Sequence, residues 1–534
     1  MTTRFGVLQR SLLAEAFHLL RAARTVEARA KAEALAKAWP GNPEVEYLLA
    51  EVAAAEGDGP RAIVHLEAVT HAVPGQWVPL VKLARLLLGQ RRREAFRSVA
   101  SQAAQAAGEN PEALFSVARA YLAADQPGDA IPLLRLALAS PQGKNEPQVW
   151  QELATALFFL GAAEQAEFCI PKALELAPCL PAALHLRSML RRQSSTAHHV
   201  DDLRARLAMT SDDEAHTAIH FALAKELEDI GEHEAAFIEL QRGSSIRASR
   251  VSGGLVDEIG TMARIAEHHH ALALARMGSG DPSDGPIFII GMPRSGTTLL
   301  ERMLGRLPGV AAAGELLDLS LVIGDAARRV QNQRPDLDPV HAVLEADAAA
   351  IGAEYLRGAR EAVPGSPFWV DKTPVNFLYA GLVHQCLPQA RMLHLTRAPM
   401  DACFAVYKTL FGQAYPFSYQ LDTLADYYIA YRRLMAHWHR EFPGAILDVP
   451  YEALVTRTRE TSERVLAFCG FAWDEVVLQP ELNLGASSTA SAAQVREPIH
   501  ARSIGAWRRH TVALEPLRQR LEDAGLVDSA GEPC

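Results

Sequence analysis

The tightest constraint on the fold is the stretch Pro286–Leu300, which reads PIFIIGMPRSGTTLL. The apolar run Ile287–Ile290 predicts a buried strand. It breaks at Gly291, and the apolar positions resume at helical spacing through Leu299, Leu300, Met303, Leu304 and Leu307. Strand, glycine loop and helix start bring backbone N–H groups and the positive end of a helix dipole to one point, which makes an anion site. The spacing Gly291-x-x-x-x-Gly296-Thr297-Thr298 nearly fits a nucleoside-triphosphate loop. Thr297, however, stands where that loop has the lysine that reaches the β/γ-phosphates. Arg294 instead offers a guanidinium fork suited to a phosphate or sulfate oxyanion.

At 534 residues the chain is long enough for more than one domain, each with its own core. The net charge of −10 gives no support to a nucleic-acid-binding face. The first ten residues hold no apolar run of signal-peptide type, and no uninterrupted apolar stretch reaches membrane-spanning length. Cys169, Cys179, Cys386, Cys403, Cys469 and Cys534 show neither metal-type pairs nor a disulfide framework, so they read as reduced thiols of a cytoplasmic protein. No metal is expected. His268, His269 and His270 point in different directions on a helix and read as a solvated helix end.

The first half repeats. Ala62, Ala95, Ala130 and Ala166 each follow a turn and open a second helix, at separations of 33, 35 and 36 residues. Pro43, Pro111 and Pro147 each stand 19 residues ahead of such an alanine. Trp150, Leu153, Ala154, Gly161, Ala166 and Pro178 resemble the helix–turn–helix pattern of the tetratricopeptide repeat, and a weaker copy spans Phe221 to Ala236. Stacked pairs of this kind form a solenoid with a concave surface. That surface is either a groove for a protein or peptide partner or part of a structural solenoid that packs on the second domain or mediates self-association.

In the second half, Phe368–Asp371, Met392–Thr396 and Ala445–Val449 are further candidate strands separated by helical stretches, which predicts a parallel α/β sheet. Ligands of such sheets bind beyond the carboxyl ends of the strands. There stand Arg294 and Ser295, Asp371 to Thr373, Arg397, and Tyr451 with Glu452.

Arg294 to Thr298, Gly314-Glu315-Leu316, Asp371 to Pro374, Arg397-x-Pro399-x-Asp401 and Ala445 to Glu452 together resemble the sulfotransferase family in chain order. The likeness is to its tyrosylprotein-sulfotransferase-like branch, in a bacterial form with N-terminal tetratricopeptide repeats. The resemblance implies 3′-phosphoadenosine-5′-phosphosulfate (PAPS) as sulfate donor and a hydroxyl acceptor, with a peptide tyrosine first and a carbohydrate or small phenol second. It implies that Arg294, Ser295, Gly296, Thr297 and Thr298 hold the 5′-phosphosulfate, that Arg397 grips the 3′-phosphate, and that Tyr451 lies near the adenine or ribose. Glu315 is implied as general base, with burial near Leu316 and Leu317 to raise its pKa. Lys372 would stabilise the bridging oxygen of the leaving group, and Ser491 would contact the same region. Among Arg496, Arg502, Arg508 and Arg509, one or more would close over the donor phosphates. One position departs from the pattern: Ala405 replaces a serine that helps bind the 3′-phosphate, which implies either weaker donor binding or compensation by Lys408 or a late arginine.

The expected organisation is therefore a repeat solenoid over 1–250, a connecting helix and linker over 251–285, a PAPS-dependent sulfotransferase domain over 286–520 and a tail over 521–534. Two other readings compete with it. A P-loop kinase or NTPase would use Asp448 as a metal-binding aspartate, and a non-enzymatic repeat scaffold would carry a degenerate nucleotide-binding domain.

Overall fold

The computed structural model describes residues 7–251, 257–483, 485–487, 492 and 494–534. It divides into two compact units, Met1–Ala156 and Leu157–Cys534.

The first unit is built of helix pairs: Val7–Arg21 with Thr25–Ala38, Pro43–Ala55 with Gly59–Ala72, Trp77–Gly89 with Arg93–Ala107, and Pro111–Ala123 with Pro127–Ala137. The Asn-Pro openings explain two of the helix starts. Asn42 accepts from the Glu44 and Val45 amides, and Asn110 accepts from those of Glu112 and Ala113. Proline follows each at the first helical position, where a missing N–H costs nothing. The second helices reveal the true register of the repeat. Their N-caps are Asp58, Arg92, Gln126 and Ala162, so the residues four places further on are Ala62, Phe96, Ala130 and Ala166. All four are fully buried. Phe96, not Ala95, therefore holds the repeating position, and a bulky ring fills the space that alanine occupies in the other repeats.

The second unit contains a five-stranded parallel sheet in the order β2-β3-β1-β4-β5. The strands are β1 (Pro286–Gly291), β2 (Val310–Ala312), β3 (Phe368–Asp371), β4 (Arg391–Thr396) and β5 (Ile446–Pro450). Strand β1 is buried throughout, and its side chains alternate between two cores. Ile287 and Ile289 join Leu300, Leu304 and Leu454 on one face, while Phe288 and Ile290 join Tyr355, Tyr428 and Trp438 on the other. The chain runs from β1 out to edge strand β2, returns through β3, and then crosses to β4, so the loops after β1 and β4 diverge and leave a crevice between them.

The helix pair Asp213–Ile230 and His233–Val251 continues the repeat in sequence, yet it packs within this second unit. Phe221 and Phe237 belong to the same core as the sheet. The ring of Phe221 stands edge-on to Tyr419 at 6.3 Å, and that of Phe237 lies 5.3 Å from His510. Glu228 pairs with Lys408 at 3.0 Å, and Arg247 donates to the Gly412 carbonyl.

Candidate active site

Beyond β1 the chain turns sharply. Gly291 and Gly296 have φ of 144° and 106°, and Arg294 between them has φ of 65°. A side chain at Gly296 would be strained, and its Cβ would lie 2.5 Å from Cδ2 of Tyr451. The Tyr451 ring thus lies directly on the loop. Gly296 caps the helix Thr297–Leu304, whose first amides open toward the same crevice.

Arg397, one residue past β4, reaches across this crevice. Its Nη1 donates to the Arg294 carbonyl at 2.9 Å and its Nη2 to the Ser503 carbonyl at 2.8 Å, while its guanidinium covers the Tyr451 ring at 4.8 Å. The Tyr451 hydroxyl shares a hydrogen bond with Ser503 Oγ at 2.7 Å. Arg294 Nη2 donates to Gln494 at 3.0 Å. Burial, with repulsion from Arg397, lowers the Arg294 pKa to about 10, which still leaves its guanidinium charged at neutral pH. Ser295 Oγ and Arg397 Nε are buried without a hydrogen-bond partner. Like charges held together beside unsatisfied donors are what an anion would relieve.

A second cluster lies beside the first. Strand β2 is only three residues long and escapes sequence reading, yet it decides this geometry. Its pairing with β3 continues past the carboxyl ends of the two strands: Ala313 N–H donates to the Val370 carbonyl, and Lys372 N–H to the Gly314 carbonyl, each at 2.9 Å. That ladder brings Glu315 next to Lys372, whose Nζ donates to Glu315 Oε1 at 2.5 Å. The Lys372 side chain is 1% exposed, and that of Glu315 is 42% exposed. The apolar burial expected for Glu315 is absent. Leu316 is buried, but Leu317 is 64% exposed, because the turn at Gly314 carries Glu315 outward past the sheet edge.

Behind Lys372 stands Asp371, fully buried, which accepts from the Tyr355 hydroxyl at 3.0 Å, from Thr373 Oγ1 at 2.9 Å and from Asn376. Burial pushes its pKa up to about 7 against the opposing effect of these hydrogen bonds.

The structure therefore brings Arg294, Ser295, Gly296, Thr297, Thr298, Arg397 and Tyr451 to one crevice, and Glu315 and Lys372 to its side. Ser491 lies outside the described residues. The late arginines are mostly engaged elsewhere: Arg496 donates to the Phe159 carbonyl at 2.8 Å, Arg502 pairs with Glu497, and Arg508 pairs with Glu532. Ala405 is buried, and the nearby Thr409 hydroxyl donates to the Ala405 carbonyl at 2.8 Å. Lys408 is held by Glu228, so any compensation from it requires that ion pair to open. Asp448 is not at the crevice. It faces His394 across the β4–β5 pair, and its Oδ1 accepts from His394 Nδ1 at 2.7 Å and His439 Nε2 at 3.0 Å. Among the described residues these three are the one group spaced to hold a metal ion, and they already satisfy one another.

Sequence reading missed Ser503, Gln494 and Glu301. Asp401 gave a usable signal for the first of these. Within Arg397-x-Pro399-x-Asp401, its carboxylate accepts the Gly505 amide at 2.6 Å and so draws the 503–507 segment to the site.

Residues 286–475 match the model of the Sulfotransferase family. That stretch of the chain is similar to sulfotransferases. The chain is 31% identical over 312 residues to an uncharacterized protein of Aquifex aeolicus, covering 57% of this chain and 41% of that protein. It is 22% identical over 244 residues to protein-tyrosine sulfotransferase 2 of Gallus gallus, covering 42% of this chain and 63% of that one. The chain thus spans less than two thirds of the length of either relative. Among solved structures, the sulfotransferase domain of the Synechococcus PCC 7002 olefin synthase is similar at 21% identity, with a TM-score of 0.28, over 43% of this chain and 96% of that domain. The motifs Arg294–Thr298, Gly314–Leu316, Asp371–Pro374 and Arg397–Asp401 all lie inside the sulfotransferase match. No helix among the described residues is long and apolar enough to cross a membrane.

Proposed function

We propose that the chain transfers a sulfuryl group from PAPS to a hydroxyl acceptor, with a peptide tyrosine as the first candidate. The observation that carries this reading is the pair of guanidiniums on the glycine loop, Arg294 and Arg397, beside the buried and unpartnered Ser295 Oγ and Arg397 Nε. Those donors fit an anionic donor substrate with phosphate at both ends, and the lysine a triphosphate needs is absent.

The donor supplies an activated sulfuryl group on a phosphate leaving group. Arg294, Ser295 and the first amides of the Thr297–Leu304 helix orient its 5′ end, and Arg397 holds the 3′-phosphate. Tyr451, packed between Gly296 and Arg397, lies near the nucleoside. Glu315, half-exposed at the rim, accepts the proton of the acceptor hydroxyl. Lys372, fixed by burial, places a single positive charge where the leaving phosphate oxygen gains negative charge. For both roles to operate, the Lys372–Glu315 ion pair must part when donor and acceptor enter.

The repeats of the first unit are the proposed docking surface for the acceptor or a partner protein. The six cysteines are all free, which favours a reducing, cytoplasmic setting.

The experiment is transfer of radiolabelled sulfate from PAPS to a tyrosine-containing peptide library, with Glu315→Gln and Lys372→Ala as controls. Each substitution should lower kcat by about 100-fold or more. Full transfer by both variants would overturn the assigned roles, and magnesium-dependent ATP turnover with no sulfate transfer would overturn the reaction.

A further inference from the structure

Glu301 belongs to no motif quoted above, yet it links the two halves of the site. It lies on the Thr297–Leu304 helix, one turn after the glycine loop, and is 6% exposed. Its Oε1 accepts the Gly314 N–H at 3.0 Å. The Gly314 carbonyl in turn accepts the Lys372 N–H at 2.9 Å. Gly314 has φ of 71°, so the chain reverses there and sends Glu315 back to the Lys372 ammonium at 2.5 Å. One glycine peptide therefore receives a carboxylate on its amide side, offers its carbonyl to the lysine backbone, and carries the glutamate that pairs with the lysine side chain. Burial raises the Glu301 pKa, the attraction of Lys372 opposes that rise, and Glu315 adds to it, so all three charges act on one another. A buried carboxylate is costly to keep unless it is paired or hydrogen-bonded, and here the Gly314 amide hydrogen-bonds it.

We infer that Glu301 is a positioning residue. It clamps the Gly314 turn so that Glu315 and Lys372 meet the reacting atoms at fixed separation. The chemistry assigned to Glu315 and Lys372 rests on the sulfuryl-transfer reading, whereas the clamp does not. The helix that receives the donor anion at its N-terminus thus also holds the base and the lysine in place, so donor seating and catalytic geometry share one rigid element.

The test uses the full chain with Glu301→Gln, which keeps an oxygen for the Gly314 amide but removes the charge, and Glu301→Ala, which removes both. Turnover should fall about 10-fold in the first and about 100-fold in the second. Affinity for 3′,5′-adenosine bisphosphate by calorimetry should stay within about 3-fold of wild type, because the groups that grip it are untouched. Independently of turnover, the amine-labelling rate of Lys372, read by mass spectrometry against the other lysines, should rise in Glu301→Ala alone. Wild-type turnover in both variants, or nucleotide affinity falling in step with turnover, overturns the positioning role. A wild-type chain that binds the bisphosphate but transfers no sulfate refutes the transfer reading instead. The labelling comparison then decides the clamp, and unchanged protection of Lys372 in Glu301→Ala overturns it.

Discussion

Asp371→Asn separates a buried acid from the lysine beside it. Asp371 is fully buried at the end of β3, and burial moves its pKa from 3.8 to about 7. A carboxyl whose folded pKa is raised binds its proton more tightly in the folded chain. Its contribution to stability is therefore fully present below the unfolded pKa and is lost as pH rises through the folded one. A shift of about 3 units corresponds to about 4 kcal/mol, and about 2 kcal/mol of that falls between pH 5.5 and pH 8.5. Asparagine matches the protonated acid in shape and does not titrate. The stability of wild type relative to Asp371→Asn should therefore fall by about 2 kcal/mol across that interval, whatever the absolute offset between the two proteins. The assay is urea unfolding of both chains at the two pH values, following the transition of the second unit. The other titrating groups cancel in the difference. A gap that stays constant across the interval, or one that moves in favour of wild type as pH rises, would refute the assignment of Asp371 as a proton-retaining acid.

Two further substitutions probe the crevice. Ser295→Ala deletes a buried hydroxyl that has no partner, so stability should hold or rise by up to about 1 kcal/mol while bisphosphate affinity falls about 10-fold. Thermal unfolding and calorimetry read the two effects, and a loss of stability would contradict the orphan status of that oxygen. Gly296→Ala forces a side chain onto φ of 106° and against Tyr451, and should destabilise the second unit by about 2–4 kcal/mol. Nucleotide binding should weaken with it, and a near-neutral result in unfolding and calorimetry would mean that the loop is looser than its contacts indicate.

Much of this fold is written in local pattern. The Asn-Pro helix openings, the continuous burial of Ile287–Ile290 and the Arg294–Thr298 loop all follow from short-range rules, and the structure has them where those rules put them. The exceptions share a physical cause. Strand β2 is invisible because three small residues, Val310, Ala311 and Ala312, carry no periodicity, and only pairing with β3 makes them a strand. The repeat register slips by one at Ala95 because a single alanine in an alanine-rich helix cannot be told from its neighbours, whereas the N-cap at Arg92 identifies Phe96. Glu315 was expected in apolar surroundings because Leu316 and Leu317 follow it, but neighbours in sequence on a turn face different ways. Glu301 looks from sequence like any polar residue on an amphipathic helix. Its burial depends on Gly314, 13 residues away.

The seating of Phe221, Phe237 and Leu240 in the same core as the sheet sets the smallest piece of this protein that can be moved elsewhere. A chain shortened to begin at Pro286 would present the rings of Tyr407, Tyr419 and His510 to water and strip Lys408 of Glu228. Such a fragment would aggregate, for want of its wall rather than of any catalytic residue. The Asp213–Val251 pair, repeat-like in sequence, is thus part of the folding unit of the sheet and inseparable from it.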